Sequence, residues 1–168
     1  NCVNQGPFNN LLLELNKNPN WRILFGKNLV DSRMRDMEFI LRFLALDTAF
    51  IKDNKSSNIS LKKNLNEFMG SENSQNASII SERREKFDYV MNFIIENIGE
   101  NTFYNITAGD DTKIRKRFYP TIFDSICPAI AIAYRHFGDD IPIENLEQKR
   151  LALLKDEEYK TFISEGTM

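Results

Sequence analysis

Two clusters of residues have the types and spacing for chemistry. The first threads the apolar stretch RMRDMEFILRFLAL, Arg33 to Leu46, with Arg33, Arg35, Asp36, Glu38 and Arg42. On a helix Arg35, Glu38 and Arg42 stack along one stripe, and Glu38 ahead of Arg42 is the favourable i,i+4 order for an ion pair. Asp31 and Asp36 fall near the start of that helix, where the helix dipole favours anions. Such a set can border a ligand pocket shared with another segment, or it can be an ion-pair seam that fixes a half-buried helix against its neighbours. Spacing alone supplies no catalytic geometry.

The second cluster is DDTKIRKRFYP, where Lys113, Arg115, Lys116 and Arg117 stand beside Phe118 and Tyr119. Cations contact phosphates, and adjacent aromatic rings can stack on bases, so the segment suits nucleic acid. The plainer reading is a solvated loop partly neutralised by Asp110 and Asp111. A four-residue basic run is a weak motif by itself. A salt-dependent affinity separates the two readings.

Other reactive types are scarce. The single histidine, His136, follows Arg135 near the end of an apolar run and reads as a surface residue or a cation favoured by a helix C-terminus. Two cysteines, Cys2 and Cys127, make neither a disulfide framework nor a metal knuckle and read as free thiols, Cys127 in the core. The acidic pairs Asp110–Asp111, Asp139–Asp140 and Glu157–Glu158 are neighbours in sequence and diverge on a helix. We find no nucleophile–base pair, no metal-ligand set and no phosphate loop. We therefore assign no catalytic residue, no metal site and no cofactor to this chain.

The elements that must position these clusters have a helical period almost throughout. Pro7 suits a first helical turn, after which Phe8, Leu11, Leu12 and Leu15 share a face. A short helix or turn around Trp21 to Phe25 ends at Gly26, with Trp21 and Phe25 as packing residues. Asp31 or Ser32 can cap the helix of the first cluster, expected to run to about Ile51. Met37, Ile40, Leu41 and Leu44 give it one apolar face, and Phe39, Phe43 and Leu46 another. Ser60 can cap a helix reaching Gly70, and a long helix follows, ending at Gly99. Outward pairs are expected there between Glu82 and Lys86 and between Arg84 and Asp88.

The stretch NTFYNITAGDDTKIRKRFYP is the least periodic and is expected to be the functional loop. Pro120 then opens a helix to about Phe137, with a kink expected at Pro128 because the Asp124 carbonyl loses its partner. Two final helices are expected near Ile143–Lys155 and Glu157–Ser164. No alternating strand is legible. The expected fold is all-α, a compact bundle of about six to eight helices. It forms a single domain over 1–168, with a division into lobes 1–70 and 71–168 left open.

With 168 residues, the chain is long enough for a sizeable core. Its 42% hydrophobic and 27% charged residues are ordinary for a globular protein, and a net charge of −2 gives no global pull toward nucleic acid or anionic membrane. Any such binding needs a local patch. No apolar run reaches the length of a membrane span and no secretory signal is visible, so a cytoplasmic setting without a membrane partner is expected. The chain opens on Asn1, and we expect it to be part of a longer protein.

GPFNNLLLELNKNPNWRILFGK, then RMRDMEFILRFLAL, then LKKNLNEFM together resemble the N-terminal domain of GmrSD-type restriction endonucleases. The resemblance rests on Gly6, Pro7, Phe8, Asn9, Leu12, Leu15, Trp21, Arg33, Asp36, Glu38, Leu41, Arg42, Phe43, Ala45, Leu46, Leu65, Asn66 and Met69. KFDYVMNFIIENIGENTFY, PTIFDSICPAIAIA and FISEGT extend it with weaker motifs. The resemblance implies a ParB-like protein whose α/β front half, with an Asp-Gly-Gln-Gln-Arg motif, handles a nucleoside triphosphate with Mg, and whose helical back half packs on it. This chain lacks that motif and the His-rich nuclease domain that often follows, so none of the family's catalytic residues maps onto it. What it implies here is the helical half alone: a non-catalytic subdomain of a nucleotide-dependent restriction and anti-phage defence protein. Its partners would be the missing front half or nuclease domain, with Arg33, Arg35, Asp36, Glu38 and Arg42 as the seam, and DNA. An apolar patch left open by the missing half would favour a homodimer. The alternative is a stand-alone helical module that binds DNA or a protein through Lys113–Tyr119.

Overall fold

The computed structural model describes residues 6–46, 61–72, 75–107 and 109–165. Eight helices and one two-stranded hairpin are found among them. The order is α1 (Pro7–Leu15), α2 (Pro19–Phe25), α3 (Arg35–Leu46), α4 (Leu61–Glu72), α5 (Ala77–Asn97), β1 (Tyr104–Thr107), β2 (Asp110–Phe118), α6 (Pro120–Phe137), α7 (Leu146–Lys155) and α8 (Glu157–Glu165). The fold is mostly helical, as the period of the sequence predicts. The expected extension of α3 to Ile51 and the Ser60 cap lie outside the described residues.

The chain divides into two compact units. One comprises residues 1–18 and 29–89, the other residues 19–28 and 90–168. In the first unit α1, α3 and α4 pack on one another. The predicted α1 face of Phe8, Leu11, Leu12 and Leu15 is buried, as are Ile40, Phe43, Leu44 and Ala45 of α3. Phe8 meets Phe68 edge-on with ring centroids 5.6 Å apart, an arrangement that suits the ring quadrupoles. Glu82 pairs with Lys86 at 3.8 Å as expected. Arg84, expected to pair with Asp88, instead reaches Glu14 of α1, and Asp88 accepts a hydrogen bond from Asn18 Nδ2 at 2.8 Å. Both contacts span about seventy positions in sequence, which i,i+4 spacing cannot foresee.

In the second unit α6 packs on α8, α7 on α8, and α7 on β1. Its core is aromatic. Trp21 and Phe25 of α2 sit against Phe118 and Phe123, and Phe103 completes the cluster with centroids 5.1 Å from Phe123 and 5.7 Å from Phe118. Cys127 is fully buried beside it in α6, as predicted. Gly26 ends α2 at φ +74, a conformation that favours glycine, and a Cβ there would push against the Tyr104 hydroxyl. Helix α6 continues as one element through Pro128 to Phe137.

One stretch tempers the all-α reading slightly. The least periodic stretch is an antiparallel hairpin, and the fold is therefore not purely all-α. Gly109 supplies the left-handed residue of its turn at φ +81. The strands escape sequence reading because their pairing is irregular. Tyr104 pairs with Phe118 but Asn105 pairs with Arg115, so one step on β1 faces three on β2. A second irregularity lies between the Ile106–Ile114 and Thr107–Asp110 pairs. Residues outside the ladder break the period-2 alternation that marks a strand.

Candidate functional site

The start of α3 is built from carboxylates. Asp36 is fully buried and accepts hydrogen bonds from the Asp31 N–H at 2.8 Å and the Met37 N–H at 2.9 Å. Asp31, also buried, accepts the Arg33 N–H at 2.8 Å on one oxygen and the Arg35 guanidinium at 2.7 Å on the other. That ion pair raises the Arg35 pKa above its ordinary value, chiefly through the hydrogen bond to Asp31. Met34 stands between the two carboxylates at φ +56, a left-handed conformation uncommon outside glycine. A turn closes there from the Met34 N–H to the Asp31 carbonyl, and Asp36 takes up the Met37 N–H, one of those that a helix start leaves without an intrahelical partner.

The five charges of the first cluster thus divide. Asp36 faces inward as a cap. Arg35 folds back on Asp31. The Arg42 guanidinium lies 5.5 Å from the centroid of the Phe39 ring, a cation–π contact one turn back along the helix. Arg33 and Glu38 are exposed. Exposed apolar side chains adjoin them: Leu29 retains 82% of its surface and Val30 52%, with Met34 also exposed. No pair among these residues has acid–base geometry aimed at a common point.

The second cluster lies on β2. Lys113 pairs with Asp110 at 2.8 Å. Asp110 also accepts from the Thr112 N–H and hydroxyl, and these bonds, led by the one from Lys113, hold its carboxyl below the usual range. Arg115, Lys116 and Arg117 are exposed, and among the described residues no carboxylate pairs with them. Lys116 and Arg117 are among the residues of β2 that β1 leaves unmatched, and Arg115 stands opposite Asn105. The Arg117 guanidinium lies 5.7 Å from the centroid of the Tyr119 ring, and Tyr119 itself is buried. Three exposed cations in a row therefore lie on a ribbon whose base is fixed by Phe118 in the aromatic cluster.

Two groups with a structural role gave little sign in the sequence. Arg150 of α7 is buried and holds Glu147 through two hydrogen bonds, while its Nη1 donates to the carbonyls of Thr102 at 3.3 Å and Tyr104 at 3.1 Å. It ties α7 to the entry of the hairpin. Tyr159 of α8 is buried near Ser125 and Asp124 of α6. His136 is exposed at the end of α6, where a cation is favoured. Cys2 lies outside the described residues. Among the described residues no group of three or more His, Cys, Asp or Glu side chains could hold a metal ion, and no helix is long and apolar enough to cross a membrane.

Comparison with protein-family models, with curated proteins and with solved structures finds no match.

Proposed function

We propose that this chain is a non-catalytic helical module of a nucleotide-dependent restriction protein, and that it contacts nucleic acid through the basic hairpin. The observation that carries the contact is the run Arg115, Lys116 and Arg117, exposed and without a carboxylate partner among the described residues. In a chain of net charge −2, such a local excess draws a polyanion by counterion release, whatever the global charge. The restriction setting rests on the residues of the resemblance alone. In that setting Arg33 and Glu38, with Leu29 and Val30, form the surface left to meet a front half that would hold the nucleotide. Chemistry would belong to that half or to a nuclease domain, because the clusters here supply caps and charges.

Fluorescence anisotropy of a labelled mixed-sequence duplex, titrated with the full chain at 50 to 300 mM salt, tests the contact. Three to four phosphate contacts give a slope of log affinity against log salt of about −3. Charge reversal at Arg115, Lys116 and Arg117 should abolish binding while leaving the helical circular dichroism unchanged. A salt-independent affinity, or one untouched by charge reversal, would sink the reading.

A further inference from the structure

We infer that the hairpin recognises the phosphate backbone by charge alone and takes no part in base stacking, so that its ligand class is the polyanion rather than any base sequence. This rests on the phosphate-binding reading above and narrows it. Proteins that grip single strands usually pair a basic groove with open aromatic faces. Here the aromatic residues that adjoin the cations in sequence are already engaged. Phe118 has ring centroids of Trp21, Phe25, Phe103 and Phe123 within 4.9 to 6.0 Å. Tyr119 is 5% exposed and carries the Arg117 guanidinium over its ring. Tyr104 is half-buried, and burial, with Glu100 adding to it, raises its pKa.

Two of the exposed aromatic residues of the same unit stand well along α6 from the end that follows the hairpin. Tyr134 and Phe137 lie on α6, which starts at Pro120, directly after the hairpin. At 1.5 Å per residue they stand roughly 21 and 25 Å along that helix from its first turn. Phe162, the remaining one among the described residues of this unit, belongs to α8. The cations, by contrast, are placed for adaptable contact. Lys113, Lys116 and Arg117 all fall in surplus positions of β2, where irregular pairing frees side chains from strict alternation to opposite faces. A phosphate chain needs that spread of charge and no fixed register.

The experiment compares three probes by anisotropy or competition with the full chain. They are a mixed-sequence single strand, an abasic strand of the same length and charge, and inorganic polyphosphate as competitor. We expect the intact and abasic strands to bind within about threefold of each other, with equal salt slopes, and polyphosphate to displace both. Lys116→Glu with Arg117→Glu should weaken both strands equally. A stacked base adds at least about fivefold in affinity. An abasic strand weaker by that factor or more overturns this inference and leaves the nucleic-acid contact standing. If none of the three probes binds, the phosphate-binding reading itself fails, and the inference with it.

Discussion

Asp36 lies in a helix that buries Met37, Ile40 and Phe43 on neighbouring positions, and it is itself fully buried. Its two oxygens take the Asp31 and Met37 N–H groups, so the side chain completes the turn that starts α3. Truncating it leaves buried donors unpaired. Asp36→Ala should therefore lower stability by about 2 to 3 kcal/mol in urea unfolding. Arg33→Ala, at an exposed position a few residues earlier, should stay within about 0.5 kcal/mol. Equal costs for the two variants would show that the carboxylate does not form the cap. The residue types of this cluster were legible in the sequence, including the preference for acids near the helix start. Which charge turned inward was not. Spacing placed Arg35, Glu38 and Arg42 on one stripe, but a turn closes at the left-handed Met34 just before α3, and Arg35 meets Asp31 rather than Glu38.

At the scale of elements, helices such as α1 were legible because they bury a stripe of period 3.6, here Phe8, Leu11, Leu12 and Leu15. The hairpin was not, because DDTKIRKRF carries charge at successive positions and its surplus residues break any alternation. Its cations were nevertheless singled out from residue type alone, and they are exposed. The tether that holds the hairpin could not be found this way. Arg150 reads as one of several charges in LEQKRLALLK, yet it is buried and bonded to the Thr102 and Tyr104 carbonyls forty-eight and forty-six positions away. Arg150→Met keeps the length of the stem and removes the donors. It should cost about 2 kcal/mol, through two carbonyls left in a buried setting and a Glu147 left without its partner. Amide exchange should then quicken at residues 102 to 107. Protection there equal to that of the wild type would mean that the strand pairing alone holds the hairpin.

The whole molecule should weaken on the alkaline side, and unevenly. Three acids of the second unit have raised pKa values. Burial pushes the Cys127 thiol well up, with Asp124 adding to it. Burial also raises the Tyr104 phenol, helped by Glu100, and the Tyr159 phenol, where Ser125 opposes and Asp124 adds to the rise. Each group is neutral in its protonated form, and each folded value lies above the unfolded one. Their stabilisation is therefore fully present below the unfolded pKa, about 8.5 for a thiol and about 10 for a phenol, and is lost as pH climbs toward the folded values. In that window the unfolded chain releases protons that the folded chain retains, at a cost approaching 1.4 kcal/mol per pH unit for the buried Cys127 and less for the phenols, least for the half-buried Tyr104. In the first unit, the shift resolved for Arg35 is also upward, but a guanidinium titrates far above this range. Urea midpoints between pH 7 and 10.5 should accordingly fall from about pH 8.5 onward, with amides of residues 90–165 losing protection before those of residues 61–89. Cys127→Ala should remove the first part of the decline, and Tyr159→Phe should flatten the part near pH 10. A midpoint constant to pH 10.5 would mean that these buried groups gain charge as readily in the folded chain as in the unfolded one, and that the second unit opens enough to let water reach them.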